Sequence, residues 1–227
     1  MNAPVLCLYP DRDTCAAELA QVLGARLRAE QSAGGRARLL LAGGQSPLPL
    51  LHRLAGETLD WSRVDLSPTD ERWVAAADPA SNLRMLCSAL PQAQALDPRQ
   101  AAIPQVAAQA WGEQLAGWLP LTAVLLGMGE DGHFASLFPG MPGLSAALAA
   151  DASAGALVGV APVEPCLRLT PNLVLLLRSG WLGLLVFGSA KRELLEAVLA
   201  DRPDTRDLPV HALVQQAGSR LQIHWAP

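Results

Sequence analysis

The chain has 227 residues, 51% of them apolar and 17% charged, which is long enough to bury a core and excludes a disordered chain. Its formal charge is −4, from 17 basic and 21 acidic residues. That balance argues against a general nucleic-acid binder, which needs a basic face, but a local cluster of cations can still hold a small anion.

Apolar runs alternate with helical patterns. Val5–Tyr9 reads as a strand, and Asp13 as the cap of a helix through Ser32, with Leu19, Val22, Leu23 and Leu27 on one stripe. Arg38–Leu41 is a second strand. It runs into Gly43-Gly44-Gln45-Ser46-Pro47 and a helix through Leu54, with Ser46 as N-cap and Pro47 as first helical residue. Val64–Pro68 is a third strand, and its proline points to an end or an edge. Ser81 starts a helix, another covers 105–118, and Thr122–Leu126 is a strand. The apolar region 172–188 is broken by Arg178 and Gly180, so it reads as a helix end and a buried strand, not a membrane span. Further strands are expected at 156–161, 166–169, 181–187 and over "LQIHW", with helices at 189–200 and 209–217.

Such alternation means an α/β fold, a mostly parallel sheet with helices on both faces. Neither the polar loop 201–207 nor the Gly/Ala-rich connection 139–156 marks a boundary, so residues 1–227 are expected to form a single domain. Cys7, Cys15, Cys87 and Cys166 lack the spacing of a metal knuckle or redox dithiol, and the N-terminus lacks a secretory pattern. Both features fit a cytoplasmic protein with reduced thiols.

In open parallel sheets, ligands sit beyond the carboxyl ends of the strands. Three polar segments follow strands: 42–47, 69–73 and 127–136. The first, "LLLAGGQSP", is strand, glycine turn and helix start, which fits an anion site or simply a capped helix. It is neither a dinucleotide fingerprint nor a Walker loop. The second gathers Asp70, Glu71 and Arg72. Arg72 can clamp an anion or polarise a carbonyl; the triplet also fits a solvated turn closed by a salt bridge. The third, "GMGEDGHFASLFPG", carries His133 as a candidate base, with Asp131 two residues earlier to orient its ring. Ser136 lacks the nucleophile elbow and is assigned a structural or hydrogen-bonding role. A metal on Asp131 and His133 would need a third ligand, to which nothing in the sequence points. Lys191 is the single lysine beside 16 arginines. Either it survived an arginine-favouring bias by chance, or a compact ammonium does there what a guanidinium cannot.

Four segments in order, "LAGGQSP" (41–47), "TDERWV" with "SNLRML" (69–86), "LLGMGEDGHFASLFPG" (125–140) and "LRLT" with "FGSAK" (167–170 and 187–191), resemble the 6-phosphogluconolactonases. The resemblance implies a Rossmann-like fold shared with glucosamine-6-phosphate deaminases. It also implies hydrolysis of 6-phosphoglucono-δ-lactone in the oxidative pentose phosphate pathway, with no metal or cofactor. His133 then falls on the catalytic histidine, with Asp131 beside it. Arg72 and Lys191 fall on basic positions around the substrate, and Gly43, Gly44 and Ser46 on its loop. Arg168 falls on an arginine of a recurrent motif, and Asp70 joins the substrate-binding set. Two departures stand out. The loop reads GGQSP where Ser-Thr-Pro is usual, which should leave a hydroxyl cap in place, and Ala75 replaces a usual proline. The expected partner is a phosphorylated sugar lactone, with no nucleic acid and no membrane, and the expected state a monomer or weak dimer. One alternative is a deaminase using a carboxylate near Asp70, although "ASLFPG" lacks the glutamate usual there. The other is a sugar-phosphate sensor, for which residues 1–40 show no recognition helix.

Overall fold

A computed structural model describes residues 3–227. In chain order the elements are β1 (Val5–Leu8), α1 (Arg12–Ser32), β2 (Ala37–Leu41), α2 (Leu48–Ala55), β3 (Val64–Pro68), β4 (Glu71–Arg72), α3 (Asn82–Ala89), β5 (Gln94–Ala95), α4 (Pro104–Gly117), β6 (Ala123–Gly127), α5 (Leu144–Leu148), β7 (Ala156–Val160), β8 (Leu167–Pro171), α6 (Leu173–Leu177), β9 (Leu182–Phe187), α7 (Ser189–Leu199), α8 (Pro209–Ala217) and β10 (Leu221–Ala226). No helix among the described residues is long and apolar enough to cross a membrane.

Seven strands form one sheet in the order β1-β10-β9-β6-β2-β3-β5, and every neighbouring pair is parallel. Each face is covered, as the near-continuous apolar runs require. Along β2, Leu40 joins one core while Leu39 and Leu41 join the other. Along β6, Val124 and Leu126 join the first core, and Ala123 and Leu125 the second. The period of two thus sends alternate side chains to opposite layers. The first core packs under α4, α6 and α8, and holds Trp111, whose indole N–H donates to Ser67 Oγ at 3.0 Å. The second packs under α1, α2 and α3. From β2 the chain first builds outward through β3 and β5, then crosses back to lay β6, β9 and β10 on the other side. The strand order therefore reverses between β2 and β6, where a crevice opens at the carboxyl ends.

Three expectations need correction. The strands near 156–161 and 166–169 do not join the main sheet. They are β7 and β8, which pair antiparallel and carry β4 as a third strand in a sheet of their own. The physical reason is the short connection between them, which permits a hairpin but not the crossover that parallel neighbours need. The cap of α1 is Asp11, which accepts from Thr14 N at 2.7 Å; Asp13 lies inside the first turn. Ser46 does not cap α2. That helix begins at Leu48 behind Pro47, with no side-chain cap. A hydroxyl at 46 has nothing to cap, because Pro49 has no N–H and the Leu48 N–H already donates to Gln45 O.

Candidate active site

A cavity of about 360 Å³ lies at the reversal point, lined from β2 by Ala42 to Pro47, from β3 and β4 by Thr69, Asp70 and Arg72, and from β6 by Gly127 to Gly129. His133, Arg168 and Lys191 complete it. Eight of the nine expected site residues line this cavity, and the ninth, Asp131, stands behind His133.

The loop after β6 folds around His133. Gly129 N donates to His133 O at 2.9 Å, and Val210 N at the start of α8 holds Gly132 O at 3.0 Å. Gly132 turns the chain at φ +78°, a conformation that glycine adopts without steric cost. Asp131 Oδ1 accepts from His133 N at 3.1 Å and lies 2.6 Å from His133 Nδ1. This contact places the proton of the neutral imidazole on Nδ1 and leaves Nε2 as the free acceptor. Phe138 packs on the ring at 4.3 Å between centroids. A Cβ on Gly129 would overlap the imidazole, so the backbone must be bare there.

Arg72 and Arg168 face each other across the β4–β8 pair. Arg72 donates one N–H to Ala80 O at 2.6 Å, and the Nε of each guanidinium is buried with no partner. Burial, and then the charge of Arg72, hold the Arg168 guanidinium below its ordinary pKa, with Asp70 acting in the opposite direction. Two like charges directly opposed in a sheet are unfavourable without an anion between or beside them. Lys191 sits in the first turn of α7, half-buried, and makes no ion pair among the described residues. The cavity thus holds three cations with donor capacity to spare. The solvated-turn reading of residues 70–72 is not what the fold builds: Glu71 is fully buried and Asp70 nearly so.

Asp70 is an acceptor held from two sides. Ser136 Oγ donates to its Oδ2 at 2.5 Å, and Asn82 Nδ2 lies 3.3 Å from its Oδ1. Ser136, fully buried, therefore has the hydrogen-bonding role read from the sequence. Sequence reasoning did not assign the site contributions of Asn82 and Phe138. Asn82 was visible only as the second residue of "SNLRML", where it read as a helix start. No cluster of three or more metal-ligating side chains occurs among the described residues.

Residues 10–225 match the family described as glucosamine-6-phosphate isomerases/6-phosphogluconolactonase. The chain belongs to this family. A Pseudomonas putida 6-phosphogluconolactonase is 38% identical over 223 residues, covering 96% of this chain and 90% of that one. A Rhizobium meliloti 6-phosphogluconolactonase is 35% identical and covers 97% of each chain. The fold matches the crystal structure of a 6-phosphogluconolactonase from Shewanella baltica with a TM-score of 0.85, at 27% identity, over 99% of this chain and 98% of that one. The Rossmann-like sheet expected from the sequence is the family's architecture.

Proposed function

We propose that the protein is a 6-phosphogluconolactonase and hydrolyses 6-phospho-D-glucono-1,5-lactone to 6-phospho-D-gluconate, the lactone-opening step of the oxidative pentose phosphate pathway. The observation that carries the reading is His133, its Nδ1 tied to Asp131 and its Nε2 free, in one cavity with unpaired Lys191 and the buried Arg72–Arg168 pair. The relatives of that name, similar over nearly the whole chain, support the same substrate.

Nε2 of His133 takes a proton from water as its oxygen bonds to the lactone carbonyl carbon. Asp131 holds the ring and favours the imidazolium. Arg72 and the N–H groups of the Gly43–Gly44 turn stabilise the oxyanion. The carbonyl re-forms, the bond to the ring oxygen breaks, and His133 returns its proton to that oxygen as it becomes a hydroxyl. The new carboxylic acid ionises and releases one proton to solvent. Lys191 and Arg168 hold the phosphate, Lys191 as a compact point charge and Arg168 through a planar fork. We also place the protein in the cytoplasm, a compartment that keeps its four unpaired cysteines reduced.

The test is proton release from freshly generated 6-phosphogluconolactone, corrected for spontaneous opening. Saturable acceleration is expected, and a rate equal to the uncatalysed one would reject the reading. A deaminase would need a carboxylate near Asp70 as a proton carrier. Both oxygens of Asp70 itself already lie beside donors, Ser136 and Asn82. Absence of ammonia release from glucosamine 6-phosphate is the expected control.

A further inference from the structure

Asn82 is the first residue of α3, a position where a polar side chain ordinarily serves the helix end. Here the helix end is served by others. The N–H groups of Asn82 and Leu83 donate to the Glu71 carboxylate, both at 2.8 Å, and Arg84 N donates to Ser81 Oγ at 3.1 Å. Glu71 also accepts from Ser81 Oγ and from the backbone N–H of Arg72, and Arg99 stands 3.6 Å from it as counter-ion. The Asn82 amide is therefore released from capping, and its backbone is locked in place.

That amide, 3% exposed, points at the cavity. Its Nδ2 donates to Asp70 O at 2.7 Å and faces Asp70 Oδ1 at 3.3 Å. Its Oδ1 lies so close to Gly43 that a Cβ there would overlap it. One side chain thus touches both a carboxylate that lines the cavity and the turn that follows β2.

We propose that Asn82 is a positioning residue, which aims the Asp70 carboxylate at the substrate and sets the Gly43 turn, with buried Glu71 as its anchor. The proposal rests on the reading of the cavity as the lactone site with Asp70 touching the substrate. Asp70, fixed by Asn82 on one oxygen and Ser136 on the other, is a directed acceptor for a hydroxyl of a polyhydroxylated ligand. Asn82 acts through it and makes no bond to a reacting atom.

The experiment is a double-mutant cycle between Asn82→Ala and Asp70→Asn, read as kcat and KM on the lactone and as calorimetric affinity for 6-phosphogluconate, with Tm recorded for each variant. Asn82→Ala is expected to raise KM and weaken 6-phosphogluconate binding about tenfold, with kcat changed less than threefold. In the Asp70→Asn background the same change should cost less than threefold. Asn82→Asp, which keeps the shape but sets a second carboxylate beside Asp70, should be the worse variant and serves if Asn82→Ala fails to fold. Full additivity in the cycle, or unchanged KM and affinity in a variant of normal Tm, would overturn the proposal. If the wild-type chain binds 6-phosphogluconate but does not hydrolyse the lactone, the functional reading fails while the cycle is still read from affinity. A chain that does neither overturns both.

Discussion

In the proposed mechanism, His133 and Lys191 divide the work at the level of single side chains. Replacing His133 by Ala removes the base and the acid while leaving the cations that hold the anionic end. General acid–base help contributes ~10²–10⁴-fold, so kcat should fall by that order with KM within about threefold of wild type. Steady-state proton release checks it, and wild-type turnover would remove His133 from the mechanism. Lys191→Met should act on KM. A charge-assisted hydrogen bond contributes about 1.5–3 kcal/mol, or roughly 10–100-fold in affinity. The loss should appear with the phosphorylated lactone and be absent with its unphosphorylated counterpart. Much of the arrangement behind this proposal was legible in the sequence, because the Asp131–His133 bond spans two residues and a single lysine among arginines is visible by counting. What stayed hidden was the task of Asn82, whose contacts reach Asp70 and Gly43 in other segments.

Among the elements, the small antiparallel sheet has the most unusual energetics. Cross-strand Arg72 and Arg168 repel each other while their Nε groups stay buried and unpaired. In the proposed function, the bound anion relieves that repulsion. Added 6-phosphogluconate should raise the wild-type Tm, since a ligand that binds only the folded state stabilises it by RT ln(1 + [L]/Kd). Arg168→Met should leave the ligand-free Tm unchanged or higher and abolish that rise. A lower ligand-free Tm, or an undiminished rise, would show that the pair is held by something other than an anion. The pairing itself could not be read locally. Residues 71–72 are too short to announce a strand, and their partner lies in β8, far along the chain. By contrast α1, α4, α7 and α8 were legible to within a residue or two, because their apolar stripes are long.

Across the whole molecule, one group outside the cavity lining couples stability to pH. His224 on β10 is 2% exposed, lies between Tyr9 and Trp181, and has no partner at Nε2. Burial pushes its pKa down to about 4 from an ordinary 6.5. Between those values the unfolded chain binds the proton and the folded chain does not, so stability rises with pH. The contribution is full above pH 6.5 and is lost as pH falls toward 4, to a total of roughly 3 kcal/mol. Denaturant midpoints for wild type and His224→Gln should therefore converge as pH falls through that window. Parallel curves would mean that His224 takes up its proton equally in the folded and unfolded chains.

By itself the sequence determined the fold class, most of the elements, and the pairing of Asp131 with His133 in the loop from Gly127 to Gly140. Each depends on periodicity or on side chains a few residues apart. The tertiary structure decided the strand order and with it the reversal between β2 and β6, the second sheet, and the Asn82–Asp70–Ser136 network. It also moved the start of α2 from Pro47 to Leu48 and left Ser46 without a capping role. The reason is physical. Periodicity says which face of an element is buried but not against which neighbour, and a polar side chain's task is set by whichever distant donor or acceptor the packing delivers to it.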